Sequence, residues 1–230
     1  MYYALEKDLE KLDALAVKHG LKTQQMMELA GFHILDLFSR LKIKKNQKFL
    51  SVIGKGNKGG DVLGASRHLI NHGFKGEIIL ISKKVSSAAQ DHLNLLKKMK
   101  VPISLFNKNT AKNKIKKADI LIDGLIGYHL KGAPRDNFAE LINLMNQSKN
   151  NIIAYDIPSG LSVEGRAYQP TVQAFATLSL GLAKKAFKTE MGQEYSGKIF
   201  LADIGVPEFI YKKINKNIEF PFSKNSLIRI

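Results

Sequence analysis

Five short apolar runs, Phe49 to Ile53, Glu77 to Ile81, Ile103 to Phe106, Ile120 to Ile122 and Ile152 to Tyr155, alternate with stretches patterned at helical spacing. Strands separated by helices pair in parallel, with right-handed crossovers covering both faces of the sheet. The intervening helices are predicted at Val62 to His72, Ser87 to Met99, Ala111 to Lys116 and Phe138 to Gln147. Two later strands are expected at Ala174 to Leu180 and Lys198 to Ala202. Ahead of the alternation, Leu5, Leu9, Leu12 and Ala16 recur at helical spacing and Gly20 supplies a stop, so Ala4 to Lys18 reads as a helix. A second helix is expected over Thr23 to Leu41. The 230 residues suffice for one buried core, and with no repeat or linker the chain reads as a single domain, 1–230.

In such sheets ligands bind beyond the carboxyl ends of the strands. Three motifs fall there: Gly54-Lys55-Gly56-Asn57-Lys58-Gly59-Gly60-Asp61, Asp123-Gly124-Leu125-Ile126-Gly127 and Asp156-Ile157-Pro158-Ser159-Gly160. A glycine loop between strand and helix lets backbone amides and the helix dipole meet a phosphate, and it also simply makes a tight turn. Its G-x-G-x-x-G spacing alone does not specify a dehydrogenase. The ribose-holding acid about 20 residues on is missing, with Ser82 at that place. No Gly-Lys-Ser/Thr follows, which excludes a P-loop. Asp123 and Asp156 fit either proton and cation chemistry or the capping of tight turns.

Composition narrows the classes further. With no cysteine, thiolate metal sites and a cysteine nucleophile are excluded. The net charge of +16 is spread along the chain, in Lys42 to Lys45, Lys97-Lys98, Lys112 to Lys117 and Lys212-Lys213, without an aromatic platform. That pattern argues against nucleic acid as the main partner. No apolar run approaches the roughly 20 residues that span a bilayer. The N-terminus lacks a secretory pattern, so a cytoplasmic location is expected.

Asn57-Lys58-Gly59-Gly60-Asp61, Asp123 to Gly127 and Asp156 to Gly160 resemble, in order and spacing, the NAD(P)H-hydrate epimerases, or YjeF N-terminal domain family. Met27 to Gly31, Gly181-Leu182-Ala183-Lys184 and Asp203 to Pro207 extend the likeness over nearly the whole chain. The resemblance implies a Rossmann-like three-layer α/β/α sandwich with a mostly parallel sheet, here carrying a helical N-terminal extension, and commonly a homodimer. It implies as substrate NADHX or NADPHX, cofactors hydrated on the nicotinamide ring, whose epimers are interconverted so that a dehydratase, expected on a separate chain, can restore them. Asn57, Lys58, Gly59, Gly60 and Asp61 are then expected to carry the pyrophosphate. Gly127, Tyr128, His129, Leu130, Lys131, Gly132 and Ala133 would line the rest of the ligand. Asp156 is the expected acid/base, with Lys184 as a charged helper.

Two departures from the family pattern matter. Members usually read Asn-Asn-Gly-Gly-Asp, and the second Asn joins the residues matching Asp123 and Ser159 in a potassium site. Lys58 stands there instead, and its ammonium is expected to reach Asp123 and replace the ion. The usual Gly-Thr-Gly is here Gly127-Tyr128-His129, whose bulk is expected to reshape or close the pocket. Alongside the epimerase, a catalytically impaired nucleotide-binding or interaction module of the same fold therefore stays open.

Overall fold

The computed structural model describes residues 1–230. The chain opens with β1 (Tyr3–Ala4), α1 (Glu6–Lys18), α2 (Thr23–Phe32) and α3 (Ile34–Arg40). Strands and helices then alternate through β2 (Lys48–Ile53), α4 (Asn57–Asn71), β3 (Lys75–Leu80), α5 (Ser87–Lys98), β4 (Ile103–Leu105), α6 (Lys108–Lys117), β5 (Ile120–Gly124), α7 (Asp136–Gln147) and β6 (Asn151–Tyr155). It closes with β7 (Ala176–Leu180), β8 (Ala183–Lys184), α8 (Glu190–Ser196), β9 (Lys198–Ala202), α9 (Glu208–Ile214) and β10 (Leu227–Arg229).

Eight strands form one sheet in the order β10-β9-β7-β6-β5-β2-β3-β4. Every pairing is parallel except that of β10 with β9. All of β5, and all of β2 beyond Lys48, is buried, as expected of central strands covered by helices on both faces. One apolar layer joins Phe38, Ile53 and Leu63 on one face, and another joins Leu50, Leu121 and Ile142 on the other. A third packs Leu9 and Leu12 of α1 with Tyr211 of α9 and Leu201 of β9.

The chain runs outward from β2 to β3 and β4, then returns to place β5 on the other side of β2, with Phe49 in register with both Gly76 and Ile120. The helices that follow β2 and β5, α4 and α7, therefore pack on opposite faces of the sheet, and this reversal of strand order opens a crevice at the carboxyl ends.

Several expectations need correction. The single helix over Thr23 to Leu41 is two helices, reset at His33, where ψ relaxes to −12° and the side chain turns into the interior. Strand β10 lies in a short polar tail and carried no recognisable alternation. The helix expected at Val62 begins at Asn57, with Gly56 as its N-cap, so Gly59 and Gly60 belong to its first turns. Glycine costs about 1 kcal/mol in a helix relative to alanine. Here packing demands it, because a Cβ on Gly60 would overlap the Met27 thioether of α2 and one on Gly59 would come within 2.6 Å of the Gly54 carbonyl.

Candidate active site

A cavity of about 530 Å³ opens at the reversal point. That is within the usual range for a small-ligand site. Its walls come from α1, α2, the loop into α4, the loop after β5, the end of β6 and the β7–β8 turn. Of the expected ligand residues, Asn57, Lys58, Asp61, Gly127, Tyr128, His129, Asp156 and Lys184 line it. Gly59 and Gly60 do not, being turned into helix packing, and Leu130, Lys131, Gly132 and Ala133 also lie outside the lining. Of the two outcomes expected from the bulk of Tyr128 and His129, reshaping or closing the pocket, closure is not what the structure has: both side chains form part of the wall of an open cavity.

The glycine loop thus acts less as a cradle than as a seam. A Cβ on Gly54 would overlap the Leu125 carbonyl, and the Gly54 amide donates to the Gly124 carbonyl at 2.8 Å, so this residue lets the β2 and β5 loops touch. Gly56 alone has open space where a side chain would stand. The amides of Asn57 and Lys58, in the first turn of α4, have no backbone partner. Such free amides at a helix N-terminus suit an anion.

Beneath the cavity floor lies a saturated polar cluster. Lys58 Nζ donates to Asp123 Oδ2 at 2.8 Å, the Ile157 carbonyl at 2.8 Å, Ser159 Oγ at 2.9 Å and the Ile126 carbonyl at 3.1 Å. The Asp123 carboxylate also accepts from the amides of Leu125 (3.0 Å) and Ser159 (2.9 Å) and from the Ser159 hydroxyl (2.6 Å). Both charged side chains are buried, at 3% and 0% exposure. Burial pushes the Lys58 ammonium below its ordinary value and the Asp123 charge opposes that shift. With four acceptors around it and no donor facing it, the nitrogen is placed as an ammonium.

A second buried pair faces the ligand space. Lys184 Nζ donates to Asp156 Oδ1, to Ser179 Oγ at 3.0 Å and to the Leu180 carbonyl at 3.0 Å. Lys184 is held in place by β8, which pairs with β1 through Ala4 opposite Lys184. Asp156 Oδ1 has this one partner, and Asp156 takes a positive φ of 63°. Such a backbone costs on the order of 1–3 kcal/mol in a residue other than glycine and is retained where the surroundings enforce it. Asp61 completes the wall, and burial together with the nearby Asp156 charge holds its carboxyl well above the usual range.

Sequence reasoning missed Asp13. It lies on α1, lines the cavity and accepts from the Tyr128 hydroxyl at 2.6 Å. Its signal was present: Asp13 is four residues from Leu9 and three from Ala16, a carboxylate on the helix face that both apolar residues bury.

A family model described as YjeF-related protein N-terminus matches residues 23–186. An NAD(P)H-hydrate epimerase of Plasmodium knowlesi is 32% identical over 214 residues, covering 92% of this chain and 71% of that protein. One of Dehalogenimonas lykanthroporepellens is 32% identical over 232 residues, covering 96% and 90%. A bifunctional NAD(P)H-hydrate repair enzyme Nnr of Moorella thermoacetica is 30% identical over 218 residues, covering 90% of this chain and 41% of its own length. The crystal structure of yeast ynu0 (YNL200c) superposes with a TM-score of 0.85 over 100% of both chains at 21% identity, which bears on the fold.

Proposed function

The chain belongs to the YjeF-related N-terminal family, and from that premise we propose that it is an NAD(P)H-hydrate epimerase interconverting the two epimers of hydrated NADH or NADPH. The observation that carries the reading is Asp156: a carboxylate on a positive-φ backbone, tied to a buried lysine through one oxygen, in the wall of a cavity at the sheet's reversal point. Relatives bearing the epimerase name, matched over more than nine-tenths of this chain, support it.

The chemistry follows from what such a substrate requires. The hydroxyl on the hydrated ring carbon leaves as water once protonated, while the ring nitrogen's lone pair forms a planar iminium. Water then returns to either face and loses a proton. Asp156 exchanges the proton with the substrate oxygen, and Lys184 fixes the carboxylate's position and charge. The free amides of Asn57 and Lys58, at the positive end of α4, take the pyrophosphate.

The potassium ion that the family resemblance implies does not fit these residues, because the oxygens of Asp123, Ser159, Ile126 and Ile157 already surround Lys58 Nζ. The ammonium takes the ion's place, and catalysis needs no added potassium. No helix is long and apolar enough to cross a membrane. The bifunctional repair enzymes among the relatives support coupling to a dehydratase.

The test is to incubate purified protein with one separated epimer of NADHX and follow its conversion by chromatography beside the Asp156→Asn variant. Conversion above the spontaneous rate, lost in the variant, is expected. A folded protein that leaves the spontaneous rate unchanged contradicts the proposal.

A further inference from the structure

Epimerisation sets a requirement that one carboxylate meets only in part. The hydroxyl leaves one face of the ring and water returns to the other, so proton traffic is needed on both sides of a substrate held by its pyrophosphate. Asp156 and Lys184 reach the cavity from the end of β6 and from β8. A different group reaches it from the loop after β5, namely Tyr128.

Tyr128 is clamped from several directions. Its hydroxyl donates to Asp13 Oδ2 at 2.6 Å, its ring lies 4.0 Å from that of His129, and His129 Nε2 stands 3.6 Å from Glu10 Oε1 on the same helix as Asp13. Just upstream, a Cβ on Gly127 would meet the Lys58 side chain at 3.4 Å, and the Ile126 amide donates to Ser159 Oγ at 2.8 Å. Asp13 forms no ion pair, and its hydrogen-bonding partner is the tyrosine hydroxyl. The bond pins the loop after β5 to α1, and it joins a carboxylate on the apolar face of that helix to a phenol lining the same cavity.

We propose that Tyr128 is a second catalytic residue of this site and that Asp13 is the positioning residue acting through it. The proposal rests on the epimerase reading and deepens it. On the return step the water oxygen bonds to the ring carbon, the water proton passes to the Tyr128 oxygen, and the tyrosine's own proton passes to Asp13. The iminium π pair returns to the ring nitrogen. Run backwards, the same relay protonates the departing hydroxyl, so each direction of epimerisation uses the Asp156 and Tyr128 arms in opposite roles. Burial raises the Asp13 carboxyl above its ordinary value, which suits a group that takes and returns a proton.

The test measures kcat and KM for epimer exchange in the wild type, Tyr128→Phe, Asp13→Asn and the double variant, with a thermal melt of each. Tyr128→Phe keeps the ring wall, and asparagine keeps an acceptor for the phenol. The expected result is a fall in kcat of roughly 100-fold or more for Tyr128→Phe with KM little changed. Asp13→Asn should fall less, and the double variant no further than Tyr128→Phe, since both act in one relay. A kcat within about threefold of wild type for Tyr128→Phe, a change confined to KM, or additive losses in the double variant overturns the proposal while leaving the epimerase standing. No turnover in the folded wild type overturns both.

Discussion

Two buried lysine–aspartate pairs lie at this site and do different work. Around Lys58 and Asp123 the ammonium has four acceptors and the carboxylate four donors, so neither retains capacity for a ligand. Around Lys184 and Asp156 the lysine is equally enclosed, but the aspartate has one partner, a strained backbone and a place in the cavity wall. Saturation separates a pair that fixes architecture from one that can exchange a proton. The first ties the start of α4, the β5 loop and the turn after β6 together; the second presents a carboxylate with a free oxygen at the cavity wall.

The comparison is broken most severely by changing the unsaturated pair. Asp156→Asn should lower epimer exchange by roughly 100- to 10,000-fold, the span of general acid–base contributions. The fold should persist, because asparagine tolerates positive φ and leaves Lys184 an acceptor. Changing the saturated pair should have the opposite balance. Lys58→Ala strands a buried carboxylate, and a loss of about 3–5 kcal/mol is expected in denaturant melts; a change under about 1 kcal/mol would mean the cluster is not holding those segments. Replacing the helix glycine Gly60 by alanine should cost stability through its overlap with Met27, read as a lowered Tm.

The smallest effect concerns a buried group outside both pairs. His33 is buried with Nε2 unpartnered, and burial lowers its pKa below 6.5. The unfolded chain therefore binds the proton more readily, so stability should fall as pH drops below about 6.5 and recover above it. His33→Gln should flatten that part of the Tm–pH curve. An unchanged slope would assign the acid sensitivity to other groups, among them His68 and His92, which burial also lowers.

Much of this was legible in the sequence because parallel strands buried on both faces leave continuous apolar runs, as in Leu50 to Ile53 and Ile120 to Ile122. The reach of Lys58 to Asp123 was also legible, since one cation replaced a residue expected to help hold another. The glycine loop misled because glycines serve close packing and ligand approach alike, and only the positions of Met27 and Leu125 decide between them. The helical spacing of Asp13 was readable, but its pairing with Tyr128 was hidden by distance: 115 residues separate the two, and nothing local pairs them. Strand β10 was hidden by length, its three residues owing their conformation to the β9 edge.

The central claim is that Lys58 provides the site's cation and Asp156 its chemistry. It is tested most directly by measuring epimer exchange of the wild type and Lys58→Asn with potassium substituted for sodium at constant ionic strength. The account predicts a wild-type rate indifferent to the substitution and a variant rate that rises with potassium as the ion enters the vacated oxygens. A wild-type rate that climbs steeply with potassium would contradict it.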